Sequence, residues 1–371
     1  MDGQPDPVAN AFARHLIYDE IFSSLSAASL MRMRRVSRST YGAVQDFTYR
    51  AFDVNRLLSR FISDPHSFRS LQARTATLIS GSLAIQFFDR TFYPESDLDL
   101  YVYKEHVIEV GIFLLNDGYQ FAPYLGQAND FYDALNGLNR AWIDDLLAET
   151  VALIDMPYRY TCVGEVFTFK RRSHDTEDSN AFTKVQIIVP RESSLQLVLG
   201  SHSISLYPVA TFERRESLVI EPRSIPAFNK YISRGWTLVD SPLSLSVPLH
   251  EGGAGESDPF LFNKSRWVTG RNSWVMHLDT EGVQSAGPLS ASSTALTWDP
   301  VVECSWALHR LERTVRVWYY PVQAAILRYR YIVADWDYLE RLTPWFNSQV
   351  ELEYSKLPKD ITEPGGDYWT W

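Results

Sequence analysis

Asp97 and Asp99 alternate with apolar residues in the run Ser96-Asp97-Leu98-Asp99-Leu100-Tyr101-Val102. Period-two alternation specifies a strand with one buried face. Side chains two residues apart on a strand share a face, so both carboxylates project from one side and Leu98, Leu100 and Val102 from the other. Like charges held this close repel, and a divalent cation with a preference for hard oxygen ligands, such as Mg²⁺, is a reason to hold them together. Upstream, the apolar run Thr77-Leu78-Ile79-Ser80 stops at Gly81-Ser82, a helical pattern follows, and Tyr93-Pro94 marks a turn. Gly81 leaves the backbone bare where a phosphate can approach amide groups and the positive N-terminus of the next helix. An ordinary β-α-β edge with two solvated aspartates would carry the same letters.

The set Ser80-Gly81-Ser82, a helix, and Asp97-Leu98-Asp99-Leu100 resembles the nucleotidyltransferase superfamily typified by DNA polymerase beta. The spacer Leu83–Ser96 is slightly longer than is usual in that family. The resemblance implies a mixed sheet flanked by helices. It also implies that Gly81 and Ser82 lie on the phosphates of a nucleoside triphosphate and that Asp97 and Asp99 are catalytic ligands of Mg²⁺. A third carboxylate is expected on the neighbouring strand, in an apolar–acid–apolar setting. Phe182–Pro190 supplies the setting, but Gln186 stands in the acid's place. An amide can coordinate through its carbonyl oxygen, yet it cannot accept a proton as a base, and losing a general base costs about 10²–10⁴ in rate. It also takes a negative charge from a site meant for metal ions. The expectation is a degenerate nucleotidyltransferase-like protein that binds Mg-nucleotide, unless Glu165 on the preceding strand replaces the acid. Glu165 otherwise reads as a strand carboxylate facing solvent. His202, just beyond Gly200, reads either as a structural hydrogen-bond partner or as a phosphate contact.

Between Phe12 and Leu58, Ile17, Ile21, Phe22, Leu25, Leu30, Met33, Val36, Tyr41 and Val44 recur mostly at three- and four-residue steps. This predicts two or three short amphipathic helices, with Ser26 and Ser29 as start signals. Ile21-Phe22, Leu25, Ser29-Leu30 and Val36-Ser37-Arg38 resemble an F-box, although the opening Leu-Pro pair of that motif is missing. The resemblance implies that residues 12–45 dock on the adaptor of a cullin-type ubiquitin ligase. The chain would then be a non-enzymatic substrate receptor, the alternative to the nucleotide-binding reading. Apolar residues packed inward would instead imply no such partner. The F-box-like start, the Gly-Ser…Asp-Leu-Asp core and the Lys184–Val189 strand together resemble proteins of mushroom-forming fungi across residues 12–206.

These patterns predict an α+β chain in three parts: a helical segment over 8–58, a nucleotidyltransferase-like mixed sheet with helices over 59–206, and an α+β region over 207–371. Loops are expected near 243–258 and 282–293. Further elements expected are a strand over 75–79, helices over 104–116, 131–147, 193–200 and 225–233, and strands over 160–170 and 182–190. Two strands around Gly270-Arg271-Asn272 and an aromatic stretch over 314–331 that turns helical complete the list. The net charge of −10 argues against general nucleic-acid binding. Nine arginines between Met31 and Arg74 face only Asp46, Asp53 and Asp64, which reads as a solvated helical surface or as a local polyanion patch. Cys162 and Cys304 stand far apart and without ligand spacing, which implies reduced thiols and no zinc. The start lacks a leader pattern and no apolar run reaches membrane length, so an intracellular setting, cytoplasmic or nuclear, with no membrane contact is expected. The tryptophans, Trp267, Trp274, Trp298, Trp306, Trp318 and Trp336 among them, read first as core.

Overall fold

A computed structural model describes residues 11–138, 163–172, 182–190, 198–199, 201–219, 225–239, 258–284, 304–310, 315–322 and 331–355. The protein is α+β. It divides into two compact units, residues 1–206 with 275–286, and residues 207–274 with 287–371. The helical N-terminus therefore shares a unit with the aspartate strand, and 275–286 returns to that unit from within the region expected to be separate.

The first unit opens with α1 (His15–Ser23), α2 (Ala27–Met33), α3 (Arg38–Ala51), α4 (Val54–Leu58) and α5 (Pro65–Thr75). Each start after α1 is written locally. Ser26 accepts from Ser29 N, Ser37 and Thr40 form a reciprocal capping box, and Asp53 and Asp64 cap the next two helices, with Pro65 at the first turn. Ser29 is thus inside a helix and not a second cap. Phe22, Leu30, Val44 and Leu58 are fully buried.

The central sheet is built from β1 (Leu78–Ser80), β2 (Leu98–Tyr101), β3 (Gln120–Phe121), β4 (Val163–Arg172), β5 (Phe182–Pro190), β6 (Val198–Leu199), β7 (His202–Ser205) and an edge strand, Trp274–His277. Their order across the sheet is Trp274–His277, β7, β6, β1, β2, β5, β4, β3. β2 runs parallel to β5 and antiparallel to β1, and β4 runs antiparallel to β5. Helices α6 (Gly81–Asp89) and α7 (Val107–Asn116) follow β1 and β2. Residues 131–138 are also helical. Leu83, Phe88, Leu98, Leu100, Val110, Leu114, Phe167, Phe169, Val185 and Ile187 are all fully buried, and they form the apolar core of this unit.

Several expectations are corrected. The strand expected over 75–79 begins three residues later, because α5 runs to Thr75 and Ala76 ends it in the left-handed conformation (φ 49°). Val198 and Leu199 belong to a strand rather than a helix, since they pair with β1 and β7; the start of the expected helix, at 193–197, lies outside the described residues. The two strands expected around Gly270 are present, in different sheets. Arg266–Trp267 pairs with Ser305–Arg310, whereas Trp274–His277 lies on the central sheet. The stretch over 314–331 holds strands Val315–Trp318 and Tyr320–Val322, and the helix begins at Trp336. The expected 139–147 helical extension, most of both loops, Cys162 and Trp298 lie outside the described residues.

The second unit contains the three-stranded sheet of Arg266–Trp267, Ser305–Arg310 and Val315–Trp318, two strand pairs, the helix Ile225–Ser233 and the long helix Trp336–Ser355. Trp306 is fully buried and donates its indole N–H to Tyr207 Oη at 2.6 Å. Trp274 is buried as well, whereas Trp318 and Trp336 are about half exposed, so the tryptophans divide between core and surface. No helix among the described residues is long and apolar enough to cross a membrane.

Arg90, in the left-handed conformation at the end of α6 (φ 52°), reaches the C-terminal end of α1. Its guanidinium donates to the carbonyls of Phe22, Ser23 and Leu25 and stacks over the Phe47 and Phe52 rings. Burial pulls its pKa below the ordinary arginine value. One cation thus gathers the carbonyls of Ser23, Leu25 and Phe22, the last of which also accepts from Leu25 N, and it suits the negative end of the helix dipole. Replacing Arg90 by Ala is expected to cost about 2–4 kcal/mol in urea unfolding, from lost charged hydrogen bonds and ring packing. A loss under ~0.5 kcal/mol, the usual effect of a surface substitution, would contradict this role.

Candidate functional site

The strand β2 carries Leu98 and Leu100 fully buried, while Asp97 and Asp99 on the alternate positions are half-buried. The two carboxylates therefore share a face, as the alternation predicts. Register places Asp99 between Ser80 of β1 and Gln186 of β5. Gln186 is thus the direct neighbour of Asp99 on the adjoining strand, where the resemblance expects the third acid. Its amide donates to Thr168 Oγ1 at 3.3 Å, on β4 opposite.

Gly81 turns the chain from β1 into α6 with φ +70°. A Cβ built there would stand 2.3 Å from Asp99 Oδ2 and 3.2 Å from its Cγ. The Asp99 carboxylate lies in the space that a side chain at position 81 would fill. Ser82 is buried in the first turn of α6. The sequence-predicted residues Gly81, Ser82, Asp99 and Gln186 are therefore gathered by one turn and one register, with Asp97 at the start of the strand.

The route into the aspartate strand is fixed by Gln86, a buried polar residue in the apolar helix Leu83-Ala84-Ile85-Gln86-Phe87-Phe88. Its amide donates to Ser82 O at 3.2 Å and Ser96 Oγ at 2.7 Å, and its carbonyl oxygen accepts from Tyr93 N at 2.7 Å. Arg60 adds a bond to Tyr93 O at 3.1 Å and lies over the Phe92 ring. Sequence reading passed over Gln86. A lone amide inside an apolar helical face is the signal that would have found it, since a buried polar group needs partners.

Lys184 is the second residue that sequence reading passed over. Its ammonium contacts Asp97 Oδ2 at 2.5 Å, with both side chains about one-third exposed. Lys184 stands two residues before Gln186 on β5 and so shares its face. Across the sheet it pairs directly with Lys170 of β4, one position along the strand pair from which Arg171 pairs with Thr183. The face thus holds a carboxylate pair on β2 beside an amide and two lysines.

Glu165 does not take the missing acid's place. The register sets Thr168 beside Gln186 and Glu165 beside Val189, past a bulge in β4. Glu165 instead accepts from Tyr124 Oη at 3.0 Å, Gln127 Nε2 at 3.4 Å and Val166 N at 3.0 Å. Burial, with help from Glu165, raises the Tyr124 hydroxyl above its ordinary pKa. His202 lies on β7, with Ser201 Oγ 2.8 Å from its Nδ1 and the His277 ring at 4.4 Å between centroids. Burial, then the neighbouring His202, hold His277 below the usual histidine pKa.

Among the described residues no three His, Cys, Asp or Glu side chains cluster as a metal would require. Asp97 and Asp99 fit one hard divalent ion by donor type and by face, but Asp97 already holds an ammonium. The donor set does not fit a two-metal transfer centre. Several of the arginines between Met31 and Arg74 are engaged within the chain. Arg50 pairs with Asp19 and Asp46, Arg74 with Glu109, and Arg69 donates to Asn55.

No protein-family model, curated protein or solved structure matches the chain.

Gly81→Ala is expected to destabilise the first unit by about 1–3 kcal/mol, because it adds left-handed backbone strain and forces Asp99 aside. Thermal unfolding checks this, and a midpoint equal to that of the parent would mean that Asp99 does not pack on Gly81.

Proposed function

We propose that the chain is a degenerate nucleotidyltransferase-like protein that binds a nucleoside triphosphate with Mg²⁺ and does not transfer it. The observation that carries this reading is the Asp99 carboxylate seated against Gly81, with Gln186 as its neighbour. Gly81 and Ser82 would lie along the phosphates, where backbone amides at the start of α6 are available to an anion. Asp97 and Asp99 would hold Mg²⁺, whose chemistry in such a site is to neutralise charge on phosphate oxygens. Gln186 can orient a ligand oxygen or donate a hydrogen bond, but it cannot take a proton from an attacking hydroxyl. Binding without turnover follows from that donor set.

Titration calorimetry with ATP and Mg²⁺ tests the reading. The parent protein is expected to give a saturable heat that Asp99→Asn loses, at least tenfold in affinity, about 1.4 kcal/mol. Labelled nucleotide is expected to remain unincorporated with any acceptor supplied. Equal heats from both proteins would refute the site, and robust incorporation would refute the loss of chemistry.

A second reading is favoured by a separate observation. Phe22 and Leu30 pack inward, but Leu16, Ile17, Ile21, Val36 and Tyr41 remain exposed on the N-terminal helices, Leu16 by 75% and Val36 by 68%. Their closeness in sequence is what supports a docking surface on this segment. We propose residues 12–45 as the part that meets a ubiquitin-ligase adaptor, which would make the chain a substrate receptor. The adaptor is expected to co-purify with tagged protein in near-equal amounts and to be lost from an Ile21→Asp, Val36→Asp variant. Its absence from the parent preparation would count against adaptor docking.

A further inference from the structure

Lys184 occupies the place where a metal would act on Asp97, and nothing in the nucleotide-binding reading requires it there. Its ammonium lies 2.5 Å from Asp97 Oδ2, so one of the two carboxylates is neutralised by the chain's own cation. A divalent ion that takes Asp97 Oδ2 as a ligand must first displace that ammonium. The second observation is on the next strand. Lys170 is the direct cross-strand partner of Lys184, and Lys170 is exposed. Like charges directly opposite on one face are unfavourable unless an anion lies between or beside them. Asp97 serves one of the two lysines. An incoming phosphate, bearing more charge than one carboxylate, would serve both.

We infer that Lys184 is a built-in counter-ion that leaves Asp97 for a ligand phosphate, so that polyphosphate and divalent metal enter the site together. The inference rests on the reading of this face as a phosphate site. The ammonium moves from carboxylate to phosphate, no covalent bond changes, and Asp97 becomes available to the metal only then. Metal alone meets a neutralised Asp97. Polyphosphate alone draws Lys184 away and leaves Asp97 without its counter-ion. With both present the metal replaces the ammonium at Asp97 as the phosphate replaces Asp97 at Lys184, which is positive coupling between two ligands.

Mn²⁺ binding to the full chain, followed by water-proton relaxation with and without ATP, tests the inference. For the parent protein ATP is expected to tighten Mn²⁺ binding by about tenfold or more, within the range common for coupled sites. Lys184→Met is expected to bind Mn²⁺ alone about tenfold more tightly than the parent and to show little further gain from ATP. Lys184→Arg, which keeps the charge, is expected to behave as the parent does and controls for folding. Equal Mn²⁺ affinity in the parent and Lys184→Met, with ATP still bound by both, would overturn the counter-ion role and leave the phosphate reading standing. Failure of the parent to bind ATP by calorimetry, with or without metal, would overturn both.

Discussion

One register decides what this chain can do: Ser80 beside Asp99 beside Gln186, on three adjacent strands. A slip of one residue between β2 and β5 would turn the aspartates to the buried face and Leu98 and Leu100 to the other. Burial of those leucines with Val185 and Ile187 on the neighbouring strand therefore holds the charged face in place as much as any polar contact does. Gly81 completes the arrangement. Its left-handed φ turns β1 directly into α6, and the missing Cβ is the space into which Asp99 fits. A side chain there would separate the helix start from the carboxylate.

Around this face Gln186 neighbours Asp99, and the Lys184 ammonium pairs with Asp97. Glu165 pairs with Val189 rather than Gln186 and is engaged by Tyr124 and Gln127. The N-terminal helices are tied to the same unit through Arg90, which bonds the backbone at the end of α1.

The aspartate strand, its buried leucines and the glycine turn were legible because each rests on a short-range rule: period-two alternation, or a residue without a Cβ. The cap at Ser26 was legible from its local start signal, whereas Asp53 and Asp64 were not read as caps. The helix Ile225–Ser233 was readable from its local pattern. Val198-Leu199 was misread because a two-residue strand has no period of its own and is defined by pairing with β1 and β7. The strand at 274–277 was legible, but its place on the central sheet was not, because sheet membership is a long-range choice. Lys184 escaped notice since its meaning depends on parallel register with a residue 87 positions earlier, a fact held by the sheet and not by its neighbours in sequence. Gln86 and Arg90 are cases of another kind, polar side chains whose partners are backbone atoms of distant segments.

Cross-linking of paired cysteines tests the register most directly. With Cys162 and Cys304 replaced by Ser, Asp99→Cys is combined either with Gln186→Cys or with Ile187→Cys. Each pair is then treated with a thiol reagent that spans one inter-strand spacing, roughly 4.8 Å. Near-complete bridging of 99 to 186, with none of 99 to the oppositely facing 187, is the predicted result. Bridging to 187 in place of 186, or to neither, would put the carboxylate pair on the wrong face and contradict the account.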